Sequence, residues 1–395
     1  MDLEEFKNQI KELEANAMIF DIFKEYQKAF DLYKQAANQI NIFIKSNKNL
    51  SCKEKYVEKA KSFILRAKEI KEKINLPSNK VQEIPKVKWE DIVGLEKAKE
   101  ALKEAAIFPV KFPKLFQGKR KPYKGILLYG PQGSGKSLLA KAVATEIPEN
   151  FIFVSCANIL SKGMEEPELL IKYLFDLARK KKPAIIFFYE IDSVMGRKHD
   201  ESEVISRFQK EFLIQMQDKS NDNEEILVLS ESNYPWALDP AIIKIFQKKI
   251  YIPLPEFDDR IKLIQLKLKD IPNTLNDQQI KDLAEYTSSS CYSCCDIESL
   301  CLDAEFEPVR KCQEAEYFKK MPGNNEFGYN YVLCSQNEPG ARKMTMLELP
   351  EPKALLPPKV EFEDFKKCLG RVRVDGVGLD FQKFKEFNEE FGQED

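Results

Sequence analysis

The run Gly130-Pro131-Gln132-Gly133-Ser134-Gly135-Lys136-Ser137 constrains this chain more than any other segment. It matches G-x-x-x-x-G-K-[ST], follows the apolar run Gly125–Tyr129, and leads into the alanine-rich stretch Leu138–Glu146. Strand, glycine loop and helix in that order build a phosphate cradle. Glycines let backbone N–H groups close around an anion, and the helix start adds the positive end of its dipole. In such a loop Lys136 reaches the β- and γ-phosphates and Ser137 offers an oxygen to Mg2+. The expected ligands are ATP and Mg2+, with Gly130 through Leu138 around the phosphates and Ser137 as the metal ligand.

The rest of the chain supplies a frame for that loop. Between Trp89 and Pro253 short apolar runs (Gly125–Tyr129, Phe151–Val154, Ala184–Tyr189, Ile226–Leu229) alternate with helical segments such as Leu138–Glu146 and Glu203–Gln217. Alternation of this kind predicts an α/β fold, a parallel sheet with helices on both faces. Residues 1–75 contain neither glycine nor proline, and apolar residues recur at three- and four-residue steps: Phe30, Tyr33, Ala37, Ile40, then Tyr56, Ala60, Phe63, Ala67, Ile70. With breaks near Phe20 and Asn47–Ser51, they predict a three-helix bundle. Residues 76–86 read as a linker spanning about 20 Å. The expected division then continues with a large α/β subdomain at 87–253 and a helical small subdomain at 254–306. A proline-rich inserted β element at 307–358 and C-terminal helices at 359–395 complete it. In the last of these, Phe381, Phe384, Phe387 and Phe391 fall on one side of a helix.

Composition narrows the classes. A net charge of −2 gives no bulk attraction to nucleic acid or to anionic lipid. No run approaches the roughly 18 apolar residues of a membrane span, and the acidic, amphipathic start is unlike a signal peptide. Nine cysteines at irregular spacing suit a reduced, cytoplasmic setting. Cys291, Cys294, Cys295 and Cys301 cluster, but one CxxC without a second favours small thiols over zinc. The single histidine, His199, stands in the polar loop Arg197–Glu201 and has no expected catalytic role.

A second strand ends in Phe188-Tyr189-Glu190-Ile191-Asp192-Ser193. An enzyme with this phosphate loop needs two acids there, one to order the magnesium and its waters and one to polarise the attacking water. Tyr189 stands in the first place and Glu190 in the second. A phenol with a pKa near 10 is neutral at pH 7 and does not replace a hard anionic ligand.

Several segments carry a family resemblance: Val87–Leu102 (VKWEDIVGLEKAKEAL), the phosphate loop, and Ile250–Pro255 (IYIPLP). Together they resemble the meiotic clade of AAA ATPases. The bundle, with Tyr33 and Arg66-Ala67-Lys68, resembles a microtubule-interacting-and-transport (MIT) domain. The stretches Pro308–Lys311, Phe318–Lys320 and Met344–Pro350, with the ending Phe384–Gln393, are similar to the branch typified by vacuolar protein sorting-associated protein 4. The resemblance implies a homo- or hetero-oligomeric ring that binds ESCRT-III tails through the MIT domain and remodels their filaments using ATP. Such a protein is cytoplasmic and is recruited to endosomal membranes only through partners. The resemblance further implies that Ile64, Ala67 and Ile70 line the groove for tail helices. A Vta/LIP5-type cofactor is expected on the β element. Ile92 and Gly94 are expected to flank the adenine, and Glu190, Asn233 and Lys136 to act on the γ-phosphate or its attacking water.

The chain departs from that pattern at four places. Tyr189 replaces an acid; Ile243-Lys244-Ile245-Phe246 stands where arginine fingers precede a phenylalanine; Ser161-Lys162-Gly163-Met164 lacks the pore-loop aromatic; and Cys291 and Cys294 replace glycines in the turn before Asp296. Lysine lacks the planar fork of arginine, and isoleucine offers nothing to a phosphate. The alternatives are an active ATPase, a hydrolysis-poor subunit that modulates an active relative, and an interaction scaffold.

Overall fold

The structure, a computed structural model, describes residues 3–22, 26–46, 53–75, 86–156, 167–196, 203–218, 225–371 and 381–392. Three expectations lie outside the described residues: the pore loop 161–164, His199, and nearly all of the linker.

At the N-terminal end α1 (Leu3–Ile22), α2 (Tyr26–Ser46) and α3 (Lys53–Asn75) pack in sequence, α1 on α2 and α2 on α3. The apolar stripes predicted for α2 and α3 form their core, together with Phe6, whose ring stacks on Phe43 at 3.8 Å. Arg66 of α3 reaches the buried Asp21 of α1, with its Nε 2.9 Å from Oδ2. The groove assignment needs correction. Ala67 and Ile70 are only 7% and 0% exposed and belong to the bundle core, whereas Ile64 is 42% exposed. Positions 60, 63, 67 and 70 share one helical stripe, and a stripe that fills the core has no surface left for a partner. Among the described side chains of α3, Ile64 and its neighbour Leu65 are the large apolar ones exposed to solvent.

The central sheet contains β1 (Gly125–Tyr129), β2 (Phe151–Ser155), β3 (Ala184–Tyr189), β4 (Ile226–Ser232) and β5 (Lys248–Tyr251). All are parallel, in the order β2-β3-β4-β1-β5. One face is covered by α4 (Glu96–Leu102) and α5 (Lys136–Glu146), which pack on Ile126, Leu128, Phe187 and Leu229. The other is covered by α6 (Pro167–Lys180), α7 (Glu203–Gln217) and α8 (Pro240–Ile245), over Leu127, Ile186, Phe188 and Val228. β5 was not anticipated, because Lys248-Lys249 interrupts the apolar run at this sheet edge. β4 extends three residues beyond the apolar run, and its polar end Ser230-Glu231-Ser232 is buried.

The small subdomain gathers α9 (Phe257–Leu268), α10 (Asp277–Ser289), α11 (Cys294–Glu314) and α12 (Phe362–Leu369) around Ile264, Leu300 and Phe365. Here too a boundary moves. α11 passes through Pro308 and ends at Glu314, so the β element does not begin at 307. Proline removes one helical hydrogen bond. The buried series Ile297, Leu300, Cys301, Ala304, Pro308 and Cys312 nevertheless keeps its period, and Arg310 and Arg371 each bond the buried Glu307 at 2.6 Å. The β element is β6 (Tyr317–Pro322), β7 (Tyr329–Leu333) and β8 (Arg342–Lys343), antiparallel in the order β7-β6-β8. Its own small core holds Phe318, Tyr331, Leu349 and Ala354.

The last helix, α13 (Phe381–Phe391), returns to the large subdomain. Phe384 and Phe387 are buried, Phe391 is half-buried and Phe381 is exposed. Phe387 meets Tyr129 at 5.0 Å between rings, Phe384 meets Trp236 at 4.8 Å, and the Tyr129 hydroxyl donates to Asn388 Oδ1 at 2.5 Å.

Two outcomes follow from this packing. Ile70→Ala should cost about 2–5 kcal/mol of local stability and speed hydrogen exchange across α2 and α3, while Ile64→Ala should stay within about 0.5 kcal/mol. Phe387→Ala should cost about 3–5 kcal/mol and raise exchange in β1 as well as in α13. Exchange confined to α13 would contradict the clamp on β1.

Candidate functional site

The phosphate loop leaves β1 through a turn that only glycine can make. Gly130, Gly133 and Gly135 have φ of +152°, +74° and +105°. A methyl carbon on Gly130 would lie 2.1 Å from the Ile252 carbonyl oxygen, and one on Gly133 would lie 2.5 Å from Ser293 Oγ. Side chains there would fill the cradle or unseat its walls. Lys136 opens α5 from a buried position, its ammonium donating to the carbonyls of Gly130 at 2.9 Å and Pro131 at 2.6 Å. The Ser134 hydroxyl is buried without a partner. An unsatisfied donor in a loop of backbone N–H groups is what a phosphate oxygen satisfies. Gln132 in the loop and Leu138 in the first turn of α5 are exposed. The residues present therefore fit a nucleoside triphosphate.

Beneath the loop lies a residue that the sequence reading passed over. Glu231, in β4, is 3% exposed, and the Ser137 hydroxyl donates to its carboxylate with Oε1 at 3.0 Å and Oε2 at 2.9 Å. Burial pushes the Glu231 carboxyl up and the Lys136 ammonium down, and each charge draws the other part of the way back. Tyr189, at the end of β3, is pushed up to about 12, first by burial and then by Glu190 and Glu231, and so stays a neutral phenol. The signal for Glu231 was present in the sequence. In Ile226–Ser232 the alternating positions 227, 229 and 231 share the α5 face. A charge among them cannot be there for packing.

The expected partners converge on this corner. Glu190 follows β3 in the left-handed region at φ +54°, where a non-glycine residue signals a constrained turn. That turn is tied down by Ile191 N–H donating to the Glu231 carbonyl at 3.0 Å and by Ser193 Oγ donating to the Glu190 carbonyl at 2.8 Å. Asn233 leaves β4 with its backbone N–H on Asp192 Oδ1 at 3.2 Å. Glu190, Asp192 and Glu231 all act electrostatically on Lys136. Ile92 is buried, and its carbonyl accepts from Lys99 Nζ at 2.7 Å. Gly94 has φ +66°, with Asp259 of α9 where a side chain would go, and Leu95 Cδ1 lies 3.7 Å from where Gly135 would carry one. The Ile92–Leu95 loop thus lies against the phosphate loop.

The small subdomain closes the other side, where Cys295 N–H donates to the Gly133 carbonyl at 3.3 Å. Cys291 takes φ +56° in the turn where glycine was expected, so the turn persists with a strained residue. At the arginine-finger position α8 exposes Lys244, and Ile245 is half-buried against the large subdomain's core. Position 245 has become part of the chain's own packing.

Comparison with known proteins agrees with this architecture. Residues 126–254 match the model of the ATPase family associated with various cellular activities (AAA), and residues 331–392 match the Vps4 C terminal oligomerisation domain. Human vacuolar protein sorting-associated protein 4A is 47% identical over 322 residues, which is 80% of this chain and 73% of that protein. Protein SUPPRESSOR OF K(+) TRANSPORT GROWTH DEFECT 1 from Arabidopsis thaliana is 37% identical over 437 residues, covering 98% of this chain and 99% of its own. Among solved structures, the FIGL-1 AAA domain in complex with ADP superposes with a TM-score of 0.61 at 30% identity, over 78% of this chain and 91% of that one. With the phosphate loop, the α/β sheet, the β element and the C-terminal helix all in place, the chain belongs to the Vps4-like AAA ATPases.

Proposed function

We propose that this chain is a subunit of an ATP-driven ring that binds ESCRT-III tails through its N-terminal bundle and uses ATP to remodel their filaments. The observation that carries it is the intact cradle: buried Lys136, the glycines at positive φ, and Ser137 bonded to a buried carboxylate. Lys136 would hold the β- and γ-phosphates, Ile92 and Gly94 would border the base, and Asn233 would contact the γ-phosphate or the attacking water. Glu190 would accept a hydrogen bond from that water and orient it. Magnesium, when bound beside Ser137, would neutralise charge on the phosphate oxygens. On the bundle, Ile64 and Leu65 offer the exposed apolar surface for a tail helix. On the β element Leu347, 90% exposed, offers an anchor for a Vta/LIP5-type cofactor. No helix among the described residues is long and apolar enough to cross a membrane. As a Vps4-like protein it would work in the cytoplasm and reach endosomal membranes through its partners.

A second reading is favoured by Tyr189, Lys244 and Ile245: a hydrolysis-poor subunit that sits in a ring with an active relative. It could accept a neighbour's arginines but return none. Loss of an arginine finger costs about 10³–10⁵ in rate.

Two measurements test and separate these readings. Lys136→Ala should weaken binding of a fluorescent ATP analogue by roughly 10- to 100-fold, the loss expected for a charge-assisted contact; unchanged binding would refute the cradle assignment. ATP turnover by the purified chain, stimulated by ESCRT-III tails, supports the first reading. Absence of turnover, together with dose-dependent inhibition of an active relative, supports the second.

A further inference from the structure

We propose that Glu231 takes over the magnesium-supporting role of the acid missing at Tyr189, so that the carboxylate has moved one strand across the sheet. The proposal rests on the nucleotide-site reading and adds a residue that the family resemblance did not supply.

Sheet geometry brings the two positions together. β3 and β4 are parallel and in register, with Phe187 opposite Leu229 and Phe188 opposite Ser230. One further step along that register pairs Tyr189 with Glu231. Ile185, Phe187 and Tyr189 on β3, and Leu227 and Leu229 on β4, pack in the cluster beneath α5, so alternation puts Glu231 on the same face. Adjacent strands lie about 4.8 Å apart. A side chain on β4 can therefore serve the place that one on β3 would serve. β4 is also the strand next to β1, and Glu231 stands level with Leu128, two residues before the phosphate loop.

The surroundings of Glu231 suit that role better than a packing role. A carboxylate at the end of a buried strand is costly without a compensating partner. Here both oxygens converge on the Ser137 hydroxyl, the group the motif assigns to the metal, while the Lys136 ammonium is bonded to the loop carbonyls. Magnesium is held in such sites by one or two carboxylates together with phosphate oxygens and water. Glu231 supplies one acid, Ser137 a hydroxyl, and the nucleotide the rest. Tyr189, a neutral phenol, is left to fill the volume beside it.

The test measures metal-dependent binding and not turnover. Affinity for a fluorescent ATP analogue is titrated on the full chain against Mg2+, and again in excess EDTA, for the unaltered protein, Glu231→Gln, and Tyr189→Asp with Glu231→Gln. Glu231→Gln keeps the size and a hydrogen bond to Ser137 but removes the charge. The expected result is metal-free affinity within about twofold and loss of about tenfold or more of the Mg2+-dependent gain. The double variant should restore that gain by returning the acid to β3. If Glu231→Gln leaves the Mg2+ gain intact, Glu231 merely braces Ser137 and the proposal is overturned. It is equally overturned if the double variant fails to recover any gain while still binding in EDTA. Absence of binding by the unaltered protein in either condition would overturn the nucleotide-site reading itself, an outcome distinct from the other two.

Discussion

The structure turns on how β1 ends. This strand is buried on both faces and bonded on both edges, to β4 and to β5, so nothing in its path is free to adjust. Where it stops, the backbone must pass so close to the Ile252 carbonyl that a side chain on Gly130 would overlap it. A rigid strand delivering the chain into a forced turn fixes where the next seven residues lie. It also fixes the direction in which α5 begins. Much of the site inherits its geometry from that junction. The Ile92–Leu95 loop touches it at Gly135, α11 touches it at Gly133, and the end of β4 lies beneath it at Ser137.

Much of this was legible in advance because the signals were periodic. β1 and β3 carry unbroken apolar runs with sharp ends and were bounded correctly, as was α7. The stripes of α2 and α3 likewise identified core residues, and their very success undid the groove assignment, since Ala67 and Ile70 could not serve both. Misses fell where tertiary context overrode local preference. Pro308 lies inside α11 because the helix's buried face continues across it and Glu307 is held by two arginines. β5 opens with two lysines, of which Lys248 is buried, so its polar start hid a strand that pairs with β1. At the site, spacing alone located the cradle and Glu190. Glu231 escaped because it belongs to no linear motif: alternation along β4 marks it as facing α5, but only the phosphate loop and β3 beside it give that charge a role.

The electrostatics of this corner show how a catalytic layout tolerates change. A parallel sheet places side chains of neighbouring strands on a grid about 4.8 Å wide, so a charge can shift by one grid point and still face the same helix. Burial keeps such a charge strongly coupled to its surroundings: Lys136 and Glu231 feel each other, and both feel the charges of Glu190 and Asp192. No comparable substitution is available at α8. A finger must reach out of the subunit on a long planar side chain, whereas Ile245 has turned inward.

The clamp between Tyr129 and α13 carries a consequence for how the protein is made. Tyr129 immediately precedes the phosphate loop, yet its ring and hydroxyl are satisfied by Phe387 and Asn388, 259 positions further along for the latter. Contacts of such long sequence separation form late, after their loop-closure entropy has been met. During synthesis the strand that carries the loop therefore emerges long before the helix that covers its far face. Until α13 has been made, Tyr129 lacks the ring and the side-chain oxygen that satisfy it in the folded protein. The cradle sits near the first third of the chain, but its support is completed only once α13 has docked on Tyr129.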